Sequence, residues 1–204
     1  MEHIALQILE QMKQQYCEIT IIDPLQLGSN FRNVRRLHKK VLFEKVFEEQ
    51  AIEKCVQLNY NKTVSVINEC LLHFNSIEDY NKNSGHKQPY RIILISDFPH
   101  SFRNCIKELN TILMNAKDAG VFVLMSVNTK VDSEYFETEL ENTMEQMVKL
   151  TEYNEDEDLY KVSNIDNENF YNDKFTIKLD RRDINIDRLS SIIIKQHRAR
   201  GMNG

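Results

Sequence analysis

IILISD at residues 92–97 decides the fold of this chain. It is a continuous run of β-branched residues and leucine that stops at a polar pair, Ser96 and Asp97. Such a run is typical of a strand that is buried on both faces, as in a parallel sheet. Two other runs have the same form, ITIID at residues 19–23 and VFVLMSVN at residues 121–128. The sequence therefore predicts three buried strands, each of which ends at a polar residue.

Helical patterns separate these runs. Ile4, Ile8 and Met12 are spaced i, i+4, i+8 and predict an amphipathic helix over residues 2–14. Apolar residues at helical spacing also predict helix from about residue 48 to residue 80 and again over residues 102–116. The order helix–strand–helix–strand–helix–strand predicts an α/β fold with a mostly parallel, three-layer sheet and crossover helices.

The last third of the chain is more polar. We predict a helix over about residues 133–150, exposed turns at the acidic run 152–158 and at 164–173, an edge strand at 175–179, and a final helix over 186–198. The predicted organisation is a core over residues 1–150. Residues 151–204 then supply an acidic loop, an edge strand and a C-terminal helix that pack on the same core.

Composition and charge argue against several classes of protein and of binding site. The chain has 204 residues, 41% of them apolar, and a net charge of −5, which argues against a broad basic surface but leaves room for a local basic patch. Its four cysteines show no CxxC spacing and its six histidines no HxH or HExxH motif, so we expect reduced thiols and no zinc-type site. No apolar run reaches the ~20 residues of a membrane helix, and the opening MEHIALQ is not a signal peptide. We therefore expect a cytoplasmic protein.

Polar residues at the strand ends are the candidate site. The carboxyl ends of parallel strands meet at one edge of the sheet, so Asp23, Asp97 and Asn128 should cluster there. A carboxylate in that place can hold Mg²⁺ through water or position an attacking water. Each residue also has a structural interpretation: Asp97 and Asn128 as turn formers, Asp23 as a turn cap before Pro24, and Ser96 as a small polar residue at a strand end.

A phosphate-binding loop is not found in the sequence. Such a loop reads GxxxxGK[ST] and holds phosphates with backbone N–H groups and a lysine. The five glycines lie at positions 28, 85, 120, 201 and 204, and none begins that motif. The sequence thus predicts half of a nucleotide site, without the half that grips phosphate.

A basic run follows the first strand. It includes Arg32, Arg35, Arg36 and Lys39. Basic residues in such a run form either a solvated helix face or a contact with the phosphate backbone of a nucleic acid. The sequence leaves both interpretations open.

Three blocks of the sequence, in order, resemble one family. They are IIDPLQLGSNFRNVRRL at residues 21–37, EDYNKNSGHKQPYRIILISDFP at 78–99 and NTILMNAKDAGVFVLMSVN at 110–128. Together they resemble the ATPase core of the FtsK/SpoIIIE group, within the FtsK–HerA family of DNA-translocating ATPases. The second block is similar to a variant Walker B region in which the strand ends in Asp-Phe-Pro. The resemblance covers roughly half of the chain, from residue 19 to residue 128.

The resemblance implies a RecA-like fold, binding of ATP and Mg²⁺, ring assembly and pumping of double-stranded DNA. It places Asp97 at or beside the Walker B acids and Asn128 near the sensor position, with Asp23 on the nucleotide-facing edge. This chain departs from the family where Ser96-Asp97 replaces the usual Asp-Glu before Phe98. Asp97 then takes the place of the catalytic glutamate and Ser96 that of the metal-binding aspartate, which predicts weak hydrolysis.

These expectations give two leading hypotheses. In the first, the chain is part of an ATP-dependent translocase of double-stranded DNA and is inactive alone, with a sheet that is incomplete at the phosphate-loop strand; it would be the C-terminal part of a longer protein. In the second, it is a catalytically dead RecA-like interaction or scaffold subunit that pairs with an intact ATPase. The expected partners are double-stranded DNA and either further copies of the chain or an ATPase subunit that supplies the missing phosphate-loop half. A third hypothesis, a small α/β nucleic-acid-binding protein, rests on the basic residues alone.

Overall fold

The computed structural model describes residues 1–13, 15–37, 39, 41–128, 144, 147–154, 159–163, 176–178 and 183–201. Backbone contacts divide the chain into two compact units, Met1–Tyr135 with Ile184–Gly204, and Phe136–Asp183. The predicted organisation, a core over residues 1–150 with residues 151–204 packed on it, stays a prediction.

The first unit is an α/β layer structure. Its helices are α1 (Glu2–Met12), α2 (Ile52–Glu69), α3 (Ile77–Asn83), α4 (Ile106–Met114) and α5 (Ile186–Gly201). Its strands are β1 (Cys17–Ile22), β2 (Leu42–Val46), β3 (Tyr90–Phe98) and β4 (Val121–Val127), in the order β2-β1-β3-β4. Every pairing in this sheet is parallel, which confirms the α/β prediction.

Alternating side chains place helices on both faces of this sheet. On one face, Ile19 and Ile21 of β1 and Leu94 of β3 pack in a single buried cluster with residues of α1 and α5. On the other face, Thr20 of β1 and Arg91 of β3 reach α2, which in turn packs against α4. Because successive strand residues point to opposite faces, a strand that is apolar throughout is buried by helices on both sides.

The second unit is described by itself. It holds an antiparallel sheet of β5 (Lys149–Asn154), β6 (Leu159–Ser163) and β7 (Thr176–Lys178), with β7 at an edge. The edge strand predicted at residues 175–179 is confirmed. The helix predicted to reach residue 150 is wrong at its end, and so are the turns predicted to begin at residue 152, because β5 pairs there with β6. The rest of that helix lies outside the described residues, apart from Met144 and residues 147–148. The predicted turns at 155–158 and 164–173 lie outside them entirely.

Two elements of the first unit differ from the predictions. The long helix predicted from residue 48 to residue 80 is split, since Ser76 caps a new helix by accepting the Asp79 N–H at 3.2 Å. The basic run does not lie on an α-helix: Arg35 and Arg36 belong to the single-turn 3₁₀ helix Val34–Arg36, which follows another single turn at Ser29–Phe31. Strand β2 was not predicted, because LFEKV is short and carries two charges.

All four cysteines, at positions 17, 55, 70 and 105, are free and buried. Burial raises the pKa of the Cys55 and Cys105 thiols to about 12. Among the described helices, none is long and apolar enough to cross a bilayer.

Candidate functional site

The candidate site lies at the carboxyl ends of β1, β3 and β4. A continuous chain of hydrogen bonds joins the residue that follows β1 to the last residues of β3. It runs from Asp23 through Asn30 and Ser96 to Asp97. Of the predicted cluster Asp23, Asp97 and Asn128, this network joins Asp23 to Asp97, and Asn30 and Ser96 are the residues between them.

Asp23 is fully buried, and both of its carboxylate oxygens accept hydrogen bonds from Asn30. Its Oδ2 accepts the backbone N–H of Asn30 and its Oδ1 accepts the Asn30 side-chain N–H, both at 3.0 Å. A buried carboxylate is costly unless it is hydrogen-bonded, and these two bonds satisfy it. In this geometry Asp23 anchors the loop after β1. Its predicted role in cofactor binding stays a prediction.

Ser96 is the bridge of the network. It is 2% exposed, its Oγ accepts Asn30 Nδ2–H at 2.7 Å, and its hydroxyl proton is donated to Asp97 Oδ2 at 2.8 Å. The hydroxyl thus orients the neighbouring carboxylate. A role as a direct Mg²⁺ ligand would require these bonds to rearrange.

Asp97 is the accessible acid of the group. It is half-buried, with one carboxylate oxygen held by Ser96 and no hydrogen bond to the other from the residues that the structure describes. Its φ is 58°, in the left-handed region, and its N–H donates to Ser126 Oγ at 2.9 Å. The β3–β4 register shifts at this point, between Ile95 and Phe98. Strained backbone of this kind costs about 1–3 kcal/mol and is concentrated at functional sites.

Asn128 lies at the same edge, directly after β4. Its backbone N–H donates to the Phe98 carbonyl at 2.7 Å, which continues the pairing of β3 with β4 beyond the register shift. The side chain is exposed. The structure thus places Asn128 at the rim with Asp97, and its predicted sensor role stays a prediction.

A second polar group borders the site and was missed in the sequence. Glu49 precedes α2, and its Oε1 lies 2.8 Å from His100 Nε2. The backbone N–H of His100 donates to the Asp97 carbonyl. Hydrogen bonds from His100, and secondarily from Ser101, lower the pKa of Glu49. Ser101 also has a positive φ, 62°. No local motif marks Glu49, Asn30 or Ser126, since each is brought to the rim by the fold.

The basic run divides by role. Arg32, Arg36 and Lys39 are exposed. Arg35 is also exposed, but its guanidinium donates to the Leu27 carbonyl at 3.1 Å and lies 4.8 Å from the centre of the Phe47 ring.

These contacts of Arg35 stabilise the loop that follows β1. The neighbouring Gly28, at φ 81°, has no room for a side chain, because a Cβ there would lie 2.5 Å from Phe47. Binding of nucleic acid by the four predicted residues stays a prediction.

The residues present fit Mg²⁺ and ATP only in part. A carboxylate oxygen is a ligand that Mg²⁺ prefers, and such ions are often held by one or two carboxylates together with substrate phosphates. Asp97 offers one such oxygen. Within the described ranges no group of three or more His, Cys, Asp or Glu side chains could hold a metal ion. The sequence also contains no GxxxxGK[ST] loop.

No protein-family model matches this sequence. No curated protein matches it either. Several solved structures are similar. EssC from Geobacillus thermodenitrificans, in a structure of its ATPases 2 and 3, matches 98% of this chain with a TM-score of 0.60 and 11% identity. The pCW3 conjugation coupling protein TcpA, solved with ATPγS, matches 73% with a TM-score of 0.54 and 17% identity. The cytoplasmic domain of EssC matches 98% with a TM-score of 0.54 and 13% identity.

These likenesses show the fold. The chain shares the α/β fold of these ATPase structures, as the resemblance implied. It spans 41–44% of the length of the solved chains that it matches.

Proposed function

We propose that this chain is a RecA-like module of an FtsK/SpoIIIE-type, ATP-dependent translocase of double-stranded DNA, and that it is inactive alone. One observation carries the proposal: Asp97 is held by Ser96, at a strained position on the carboxyl edge of a parallel sheet, with one oxygen unbonded within the described part of the chain. Ligands of open α/β sheets bind at this edge. On a fold shared with ATPase structures, a carboxylate there would face a bound nucleotide.

The role of each residue follows from its contacts. Asp97 would accept a proton from the attacking water or bind Mg²⁺-bound water, while Ser96 and Asn30 keep its carboxylate in place. ATP and Mg²⁺ supply the phosphoryl group and its charge neutralisation when they are bound. A partner subunit, or a further segment of polypeptide, would supply the phosphate-binding loop. Arg32, Arg36 and Lys39 would contact the DNA backbone.

A second candidate function is an interaction subunit with no catalysis of its own. Ser96 favours it, because a buried hydroxyl that is already hydrogen-bonded on both sides stands where the family has a metal-binding carboxylate. Such a subunit would pair with an intact ATPase and keep the fold of its active relatives.

Nucleotide binding tests the first part of the proposal. The purified chain is titrated with a fluorescent ATP analogue in Mg²⁺, and phosphate release is followed for the wild type and for Asp97→Ala. We expect no steady turnover and no tight binding, because the phosphate grip is lacking. Steady ATP hydrolysis that disappears in Asp97→Ala would show that the chain is active by itself.

DNA binding separates the two candidates. Binding of a short labelled DNA duplex is measured as a function of salt concentration for the wild type and for Arg32→Ala/Arg36→Ala/Lys39→Ala. If these residues neutralise phosphates, the log–log salt slope falls by about 3 in the triple variant. The matched control, Lys54→Ala/Arg103→Ala/Arg188→Ala, removes the same charge from exposed positions outside the basic run. Equal weakening in both variants, or no binding at all, would favour the interaction subunit.

A further inference from the structure

Strand β3 has one residue more than β4 where the two strands reach the carboxyl edge. Ile95 pairs with Met125 and Phe98 with Val127, so three steps along β3 match two steps along β4. An extra residue of this kind is a β-bulge, which bends the strand locally and often re-aims a side chain beside an active site. The bulge falls at the two residues that β3 contributes to the candidate site.

A regular ladder would give the Asp97 N–H a different acceptor. Arg91 pairs with Val121, and its N–H donates to the carbonyl of the preceding β4 residue, Gly120, at 2.9 Å. The same pattern, continued to the end of β3, would direct the Asp97 N–H to the Ser126 carbonyl. Instead the Asp97 N–H donates to Ser126 Oγ at 2.9 Å. The hydroxyl of Ser126 therefore takes the place of its own carbonyl as the acceptor.

The next hydrogen bonds are displaced in the same direction. The Asn128 N–H donates to the Phe98 carbonyl at 2.7 Å, where the regular pattern would use the Asp97 carbonyl. The Asp97 carbonyl accepts the backbone N–H of His100 instead, at 3.1 Å. Both backbone polar groups of Asp97 thus leave the ladder, and each has a partner, as backbone groups away from water require.

The bulge also brings the side chains of Ser96 and Asp97 together. Neighbouring residues of a regular strand point to opposite faces of the sheet. In regular alternation Asp97 would share the face of Arg91, which reaches α2. Here the Ser96 hydroxyl donates to Asp97 Oδ2 at 2.8 Å, so the carboxylate is turned towards Ser96 at the rim.

We propose that Ser126 is a positioning residue for Asp97. Its hydroxyl accepts the N–H that the bulge removes from the ladder, and this bond holds the turn in which the carboxylate meets Ser96. The catalytic meaning of that position rests on the proposed function, in which the Asp97 carboxylate acts on water or on metal-bound water. A side chain with a hydroxyl is needed at this place, because the apolar side chains of alanine and valine have no acceptor.

Loss of the hydroxyl leaves Asp97 two arrangements. Its N–H stays unpaired in the bulge, or the chain returns to the regular ladder, where the carbonyl of residue 126 is the acceptor. The regular ladder avoids both the cost of an unsatisfied N–H and the strain of a positive φ, so it is favoured. In that arrangement the carboxylate turns away from Ser96 and leaves the rim.

The variants Ser126→Val and Ser126→Thr test this bond, because both introduce a β-branched side chain and only threonine has a hydroxyl. The amide and α protons of one residue are close together when its φ is positive, so Asp97 should show a strong nuclear Overhauser effect between them. We expect this signal in the wild type and in Ser126→Thr, and its loss in Ser126→Val. The control Ser65→Ala removes an exposed hydroxyl that is bonded to Glu69 and should leave the signal unchanged. A strong signal in Ser126→Val would overturn the proposal.

A metal probe separates this inference from the proposed function. Mn²⁺ alone is titrated into the wild type and both Ser126 variants, and the broadening of the Asp97 carboxylate signal is compared with that of the exposed Asp118. We expect selective broadening of Asp97 in the wild type and in Ser126→Thr, and loss of that selectivity in Ser126→Val. Equal selectivity in the two variants would contradict a positioning role.

Two further outcomes have separate meanings. If Mn²⁺ does not broaden the wild-type Asp97 signal but the Overhauser effect still depends on the hydroxyl, the metal role in the proposed function is wrong and the positioning by Ser126 stands. If Ser126→Val fails to fold, Ser126→Ala replaces it. The same loss of both signals is expected, and their persistence would overturn the proposal.

Discussion

The amino and carboxyl ends of the four-stranded sheet each hold a buried charged side chain, but in different ways. Arg91, at the start of β3, is 3% exposed and donates to the Asn59 carbonyl at 3.0 Å and to Thr63 Oγ1 at 2.9 Å. Both of these acceptors belong to α2, a regular helix. Asp23, after β1, is bound by Asn30, which belongs to a loop.

Backbone strain and exposure separate the two ends. Arg91 lies in regular strand geometry, and burial lowers its pKa to about 10, partly offset by the charge of Glu18. The carboxyl-end network ends at Asp97, which has a positive φ and a half-exposed carboxylate. A polar network that fixes a helix on a sheet needs neither feature. The amino-end network is architectural, whereas the proposed function gives the carboxyl-end network the role of positioning Asp97.

The largest effect is expected at the amino end. Arg91→Ala leaves a cavity between β3 and α2 and should lower the free energy of unfolding by about 3–5 kcal/mol. Arg91→Met keeps most of the volume without the charge and should cost less than about 1.5 kcal/mol. Urea unfolding of both variants checks this. If Arg91→Met lowers the free energy of unfolding as much as Arg91→Ala does, the guanidinium itself stabilises the fold and the packing argument is wrong.

The second-largest effect on stability is expected at the carboxyl end of the sheet. Asn30→Ala removes the side-chain bonds to Asp23 and Ser96 and leaves a buried carboxylate with one N–H donor. We expect a loss of about 2–3 kcal/mol in the free energy of unfolding. Asn61→Ala, which removes an exposed bond to Gln57, is the control and should stay within about 0.5 kcal/mol of the wild type. Equal losses would mean that the network at the rim is not stabilising.

Backbone strain at Asp97 gives a smaller effect with an unusual sign. Asp97→Gly and Asp97→Ala both lose the bond from Ser96, but glycine adopts a positive φ without penalty. The glycine variant should therefore be more stable than the alanine variant by about 1 kcal/mol. At Lys45 in β2 the order should reverse, because alanine is favoured over glycine in a strand. Thermal unfolding of the four variants measures both differences, and the same order at the two positions would exclude strain at Asp97.

The smallest effect concerns acid stability. The pKa of Glu49 is lowered from its ordinary value of 4.5 in the folded state, first by the hydrogen bond with His100. Folding therefore favours the carboxylate: the contribution is present above about pH 4.5 and is lost as the pH falls through the lowered pKa. The difference in melting temperature between wild type and Glu49→Gln should shrink below pH 4.5 and in high salt, since the pair is exposed. A difference that is constant with pH would show that this pair does not contribute.

Much of the fold follows from the sequence. The three strands β1, β3 and β4 could be predicted from their mainly apolar runs, because a strand buried on both faces is apolar along most of its length. Strand β2 could not, because an edge strand tolerates Glu44 and Lys45. The break between α2 and α3 depends on Ser76, whose capping bond does not interrupt the helical spacing of the apolar residues around it.

The candidate site follows in outline only. Strand ends predict that Asp23, Asp97 and Asn128 meet at one edge, since this depends on topology alone. What each side chain does there depends on partners that are distant in sequence. Asn30 is seven residues from Asp23 and 66 from Ser96. No local pattern in the sequence predicts that its side chain binds the Asp23 carboxylate and links it to Ser96 of β3.

The buried cysteines have a practical consequence for labelling chemistry. Burial raises the pKa of the Cys55 and Cys105 thiols to about 12, so both thiols stay protonated at pH 8 and react slowly. Cys17 and Cys70 are buried as well. A cysteine introduced by Leu27→Cys, at a position that is 66% exposed on the loop held by Arg35, would react selectively with a maleimide dye. The wild-type sequence is thus already a background for single-site fluorescence, without removal of any native thiol.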